Sequence, residues 1–313
     1  DNGNGTLNVQ VNYPQGSNDT LAFQNQYKTG SVDLVISGSK KLVVSDGLVG
    51  PGGIAGKYTF ELVDADGKEV ATTTNQAGGT IAFPAITFTD DGTYTYTVTE
   101  SGTIPGVTND ADATKTVTVR VTDDGLGHLA AETVEGDSSI EGDDFTFTNT
   151  YGVENVVASD LVEAAKVLSV PEGLTGPGDI AGKYTFTVEA VTEGAPMPVN
   201  TTVENADGEG TATSFGEVTY TKPGTYVYRV TESGSVDGVT NDAEAATGKT
   251  VTVVVTDNGD GTMSAETSGA ATFTNTYVAD PVTLSGDTAL RVTKKVVGHD
   301  ASTGFAFTLA QSD

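Results

Sequence analysis

The sequence predicts an all-β chain of tandem two-sheet sandwich modules. Three observations carry this reading: Thr- and Val-rich runs that alternate with period two, Asp- and Gly-rich turns between the runs, and an internal repeat that covers most of the 313 residues.

The repeat sets the organisation. Gly50-Pro51-Gly52-Gly53-Ile54-Ala55-Gly56-Lys57-Tyr58-Thr59-Phe60 recurs as Gly176-Pro177-Gly178-Asp179-Ile180-Ala181-Gly182-Lys183-Tyr184-Thr185-Phe186. Tyr96-Thr97-Val98-Thr99-Glu100-Ser101-Gly102 returns as Tyr228-Arg229-Val230-Thr231-Glu232-Ser233-Gly234, and Gly106-Val107-Thr108-Asn109-Asp110-Ala111 as Gly238-Val239-Thr240-Asn241-Asp242-Ala243. Phe147-Thr148-Asn149-Thr150-Tyr151 returns as Phe273-Thr274-Asn275-Thr276-Tyr277, a step of 275 − 149 = 126 residues. Partial copies flank these. Asp1-Asn2-Gly3-Asn4-Gly5-Thr6 mirrors Asp257-Asn258-Gly259-Asp260-Gly261-Thr262, and Phe23-Gln24-Asn25-Gln26-Tyr27 mirrors the Phe-x-Asn-x-Tyr run. The run from Leu290 through Lys294 to Val296, followed by Phe305 to Leu309, mirrors opening strands. The expected layout is therefore closing strands of a preceding repeat at 1–29, full modules at 30–152 and 153–279, and opening strands of a following repeat at 280–313.

Within a module, Asp64-Ala65-Asp66-Gly67, Asp90-Asp91-Gly92 and Asp123-Asp124-Gly125 read as hairpin turns. Seven or more short strands in about 125 residues is what an Ig-like β-sandwich requires. One segment dissents: Asp160 to Lys166 has helical propensity, but its repeat partner Leu34 to Lys40 does not, so both are read as leading into a strand.

Composition narrows the function. The net charge of −28, from 43 acidic and 15 basic residues, repels nucleic acid and anionic membranes while keeping an extracellular object soluble. Regular alternation argues against disorder as the cause of that charge. No apolar run is long enough to cross a bilayer, and no N-terminal basic-then-apolar segment is present, so an export signal is expected to be cleaved or to lie elsewhere. There is no cysteine. Small extracellular β-domains often lean on disulfides, so a secreted chain without them needs another clamp.

Residues two apart on a strand share a face, and that rule exposes three polar residues pointing inward. Glu100 shares its face with Tyr94, Tyr96 and Val98; Asn149 with Phe145, Phe147 and Tyr151; Lys40 with Leu42 and Val44. The second module repeats the set with Lys166, Glu232 and Asn275. Lys40 and Lys166 are separated by 166 − 40 = 126 residues, whereas Lys41 has become Val167. A desolvated Lys tends to become a neutral amine and hence a nucleophile, and a desolvated Glu tends to keep its proton. A neighbouring Asn offers a carbonyl carbon with ammonia as leaving group. The trio can thus form an amide between Lys and Asn once per module, with no turnover.

This Lys…Val-Thr-Glu…Phe-x-Asn-x-Tyr set resembles the isopeptide-linkage domains of Gram-positive major pilins and, more distantly, the B-type repeats of collagen-binding surface adhesins. The resemblance implies Lys40–Asn149 and Lys166–Asn275 bonds assisted by Glu100 and Glu232 acting as proton shuttles, with no cofactor and no metal. Asn25 and Lys294 match the Asn and Lys positions of incomplete modules that lack their Glu strand. No Leu-Pro-x-Thr-Gly signal is present, and Tyr13-Pro14-Gln15 carries Gln where a polymerising pilin has Lys. The expected role is a stalk region of a secreted, cell-wall-associated adhesin or fibre. Its partners would be neighbouring repeats, with any host- or cell-surface ligand bound by regions outside this chain.

A polymerised pilin subunit and a glycan- or protein-binding Ig-like module share the fold, the latter working through its loops. The turn Asp257–Gly261 offers oxygens to calcium but falls short of an EF-hand loop. A turnover enzyme is not indicated, since His128 and His299 lack partners at metal or triad spacing.

Overall fold

The computed structural model describes residues 1–9, 23–136, 143–283, 291–298, 304–308 and 310. Tyr13-Pro14-Gln15, Leu290, His299 and Leu309 lie outside the described residues. Among the described residues every regular element is a strand, and no helix is long and apolar enough to cross a membrane.

Eleven strands build the first module: β1 (Val32–Leu34), β2 (Ser37–Val44), β3 (Thr59–Val63), β4 (Glu69–Thr74), β5 (Thr80–Ala82), β6 (Ile86–Phe88), β7 (Gly92–Ser101), β8 (Val107–Thr108), β9 (Thr114–Asp123), β10 (Leu129–Gly136) and β11 (Phe145–Tyr151). They form a five-stranded sheet in the order β10-β9-β7-β3-β4, a four-stranded sheet β5-β2-β11-β8, and a small pair β1-β6. The second module repeats them one for one as β12 (Val156–Ala158), β13 (Glu163–Ser169), β14 (Tyr184–Ala190), β15 (Thr202–Glu204), β16 (Glu209–Ser214), β17 (Val218–Tyr220), β18 (Gly224–Gly234), β19 (Val239–Thr240), β20 (Lys249–Asp257), β21 (Met263–Thr267) and β22 (Ala271–Tyr277). Each module is thus an Ig-like sandwich with its own core. Phe60 and Phe147 meet across the first with ring centroids 5.5 Å apart, and Phe186 stacks on Phe273 at 5.6 Å in the second.

Local signals mostly act as expected. The helix-prone stretch before Lys166 ends in strand β13, because Val162, Ala164 and Ala165 are buried against the core and sheet pairing outweighs propensity. The turns at Asp64–Gly67 and Asp123–Gly125 join hairpin partners β3–β4 and β9–β10. Asp90–Gly92 is not a hairpin turn: β6 pairs with β1, whereas β7 pairs with β3 and β9, so this turn carries the chain between sheets. Residues 23–29 and 291–298, read as closing and opening strands, carry no strand here, since a strand persists only where a neighbour takes its backbone hydrogen bonds.

One pairing positions the site. β11 lies parallel to β2, with Phe147 opposite Lys40 and Asn149 opposite Leu42; β22 lies parallel to β13, with Phe273 opposite Lys166 and Asn275 opposite Leu168. A parallel pair needs a long crossover, and here nearly the whole module serves as that connection. The register is held tightly beside the lysine. Gly79, at φ +91°, accepts the Lys40 N–H at 2.7 Å, and a Cβ there would collide with the Lys40 carbonyl oxygen.

Candidate functional site

The three inward polar side chains of each module are buried between its two sheets. Lys40 from β2 and Asn149 from β11 are neighbours in one sheet, and Glu100 reaches them from β7 of the other. Lys40 Nζ lies 2.5 Å from Glu100 Oε1, with side-chain exposures of 0% and 2%. Asn149 Nδ2 donates to the same Glu100 oxygen at 3.5 Å, so one carboxylate oxygen touches both the amine and the carboxamide nitrogen. In the second module Lys166 Nζ donates to Glu232 Oε2 at 2.5 Å, with both side chains at 0% exposure. Asn275 is likewise fully buried. Glu232 Oε1 is buried without a hydrogen-bond partner among the described residues, which leaves an acceptor open beside the amine.

Burial pushes the Lys40 and Lys166 amines below the usual lysine range, even though the adjacent Glu works the other way. The rings of Tyr58 and Tyr184 close the pocket, with centroids 4.6 and 4.3 Å from the respective Nζ atoms. Both side chains of each pair are shielded from solvent, where full charges are costly to hold.

The carboxamide is oriented by residues that face analysis of the sequence did not single out. The backbone N–H of Asp110 donates to Asn149 Oδ1 at 2.8 Å, and Asn149 Nδ2 donates to Asn109 Oδ1 at 3.1 Å. The second module has the same pair of contacts, 2.8 Å from Asp242 N and 3.2 Å to Asn241 Oδ1. A backbone N–H can only donate, so this bond fixes which end of the amide is oxygen. It also aims a donor at the atom that gains negative charge when Cγ is attacked. The Asp110 carboxylate anchors the turn by accepting from Thr148 N at 2.7 Å and Asp112 N at 2.9 Å, with Lys115 at 3.6 Å. Asp242 does the same with Glu244 N, Thr274 N and Lys249. Burial opposes its ionisation, yet these donors hold its pKa down at about 2. Two signals for these residues stood in the sequence: the repeated Gly-Val-Thr-Asn-Asp-Ala and the repeated Lys-Tyr-Thr-Phe.

The flanking equivalents are placed differently. Asn25 is exposed, and Lys294 is exposed with its Nζ 4.3 Å from the Phe305 ring centroid. Among the described residues no group of three or more His, Asp or Glu side chains is placed to hold a metal ion. Within the turn Asp257–Gly261, both carboxylate oxygens of Asp257 are engaged by hydrogen-bond donors.

Comparison with protein families matches residues 36–152 and 162–278, each to a Spy0128-like isopeptide containing domain. The chain belongs to that family. Each Spy0128-like match contains one complete Lys, Glu and Asn set. Among solved structures, the chain is similar to the major pilin of Streptococcus pyogenes at 18% identity, over 78% of this chain and 99% of that one, with a TM-score of 0.27. It is also similar to a single B repeat unit of the collagen binding surface protein of Staphylococcus aureus at 16% identity, over 79% of this chain and 100% of that one, with a TM-score of 0.24. No curated protein matches the chain.

Proposed function

We propose that each module closes itself with an intramolecular isopeptide bond, Lys40 to Asn149 and Lys166 to Asn275, and that the closed modules form a load-bearing stalk on a Gram-positive cell surface. The reading rests on one observation above the rest: a Lys–Glu pair at 2.5 Å and a fully buried Asn on the strand beside that Lys occur twice, once in each module.

The chemistry follows from that arrangement. Glu100 or Glu232 takes a proton from the lysine, leaving a neutral amine. Nζ attacks Cγ of the asparagine while the Asp110 or Asp242 backbone N–H supports the developing oxyanion. The Glu returns that proton to Nδ2 and takes a second one from Nζ, the Cγ–Nδ2 bond breaks, and ammonia leaves, with the second proton kept on the Glu carboxyl. One N–C bond forms for one broken, no oxidant is needed, and no cofactor enters. The reaction occurs once per module, so the protein is not a turnover enzyme.

The mechanical role follows from the parallel pairing. Residues 30–152 and 153–279 are the two closed modules, and residues 1–29 and 280–313 belong to like modules. Tension entering at β2 and leaving at β11 loads that pair in shear, with all its hydrogen bonds sharing the force. A covalent bond between those two strands lets force bypass the 109 residues from Lys40 to Asn149 (149 − 40). Intact-mass measurement tests the reading. The purified chain should lack two ammonias, and Glu100→Ala and Glu232→Ala should each restore one; a full unreacted mass for the parent refutes it.

A further inference from the structure

The modules also meet through a polar joint that recurs along the chain. Tyr151, the last residue of β11, is fully buried, and its hydroxyl donates to Asp257 Oδ1 of the second module at 2.6 Å. The same carboxylate accepts from Gly259 N at 2.8 Å and, through Oδ2, from Val49 N at 2.7 Å and Gly50 N at 3.3 Å of the first module. The Tyr151 hydroxyl oxygen in turn accepts from Gly261 N at 3.1 Å, and Glu154 N donates to Gly261 O at 2.8 Å. Gly106 and Gly261 face each other so closely that a Cβ on either would collide with the Cα of the other; both have positive φ, +75° and +86°. A carboxylate buried between two modules with four donors has its hydrogen bonding complete only while both modules stay in place.

The joint is built a second time. Tyr27, which aligns with Tyr151, donates through its hydroxyl to Asp123, which aligns with Asp257, at 2.9 Å. Gly30 N donates to Gly127 O at 2.8 Å, as Glu154 N does to Gly261 O. The offsets agree: three residues past the tyrosine and four past the aspartate in both cases. Its full receiving half is present again in Thr175, Gly176, Gly238 and Tyr277, where Gly176 and Gly238 keep φ of +71° and +74° and Tyr277 is partly exposed.

We propose that this Tyr–Asp clasp, seated on an Asp-x-Gly-x-Gly turn, is the repeat's module-to-module lock, and that Tyr277 with Gly238 and the Thr175–Gly176 loop receives the equivalent turn of a further module of the same kind. The lock fixes the angle between neighbours, so that a row of modules behaves as a stiff rod. It is independent of the covalent reading: among the described residues no hydrogen bond or ion pair joins Tyr151 or Asp257 to the Lys, Glu or Asn side chains.

The absence of cysteine allows labels at Asp91→Cys and Glu193→Cys, both exposed, to report inter-module distance by fluorescence transfer in the full chain. Tyr151→Phe and Asp257→Asn should each broaden that distance distribution and raise hydrogen exchange at Val49, Gly50 and Gly261 about tenfold or more, while the count of lost ammonias stays at the parent value. Gly261→Ala should open the joint as well. Gly125→Ala, which carries the same left-handed strain with no neighbour within 4 Å, should not. In a chain carrying an extra copy of residues 153–278 inserted after Val278, Tyr277→Phe should raise exchange at the inserted copy's Gly261 amide by the same factor. Unchanged distances and exchange in Tyr151→Phe and Asp257→Asn overturn the lock, and unchanged exchange in the extended chain overturns the receiving site at Tyr277.

Discussion

Replacing Glu232 by Gln separates the ionic from the covalent contribution in the second module. Lys166 is fully buried, and Glu232 is its partner at 2.5 Å. Before reaction, Glu232→Gln leaves the buried Lys166 amine without its acid partner, a loss of about 3–5 kcal/mol for a broken buried pair. In the proposed reaction it also removes the proton carrier, so the bond closing the 109 residues from Lys166 to Asn275 (275 − 166) should not form. By analogy with a disulfide loop of that length, this forfeits about 4–5 kcal/mol more. The single variant therefore loses about 7–10 kcal/mol. Lys166→Met combined with Glu232→Gln removes both charges and should lose only the cross-link share. At about 4 °C per kcal/mol for a domain of this size, the double variant melts about 15–20 °C below the parent and the single variant about twice as far below. Calorimetry with intact mass on the same samples reads both quantities. A Glu232→Gln chain still lacking two ammonias refutes the proton-shuttle role. A double variant no more stable than the single one refutes the ionic share.

Other outcomes follow from the same geometry. Asn109→Ala and Asn241→Ala remove an acceptor that holds the carboxamide nitrogen and should slow ammonia loss in their own module by about ten- to a hundredfold, read by a mass time course after refolding, with the final mass unchanged. Lys40→Ala should let the first module unfold and extend under force in single-molecule pulling, where the parent stays closed; equal extension at equal force refutes the mechanical role. Asp242 is a carboxylate whose folded pKa is lowered to about 2 from 3.8. Its contribution to stability is complete above 3.8 and is lost as pH falls through about 2, so acid denaturation of the second module should lose that part of its slope in Asp242→Asn.

Much of the candidate site could be read from alternation alone. Period two on three separate runs pointed Lys40, Glu100 and Asn149 inward, and the repeat at 126 residues chose Lys40 over Lys41. Alternation assigns a face but names no neighbour. That β2 and β11 lie side by side in parallel, with Glu100 arriving from the opposite sheet, is a long-range pairing with no local signature. The same limit hid Asn109 and Asp110, whose roles come from a loop folding over the end of β11, and misread Asp90–Gly92, where the turn residues are those of a hairpin but the flanking strands belong to different sheets.

The amino-acid sequence by itself determined the strand-rich character of the two modules, their repeat and the identity of three buried polar residues in each, because these depend on patterns a few residues long or on self-similarity. Tertiary structure decided which strands pair, how the carboxamide is turned, and how one module grips the next through Tyr151 and Asp257. Those contacts join residues up to 208 positions apart, as Val49 to Asp257 does, and only the burial of both cores brings them within reach.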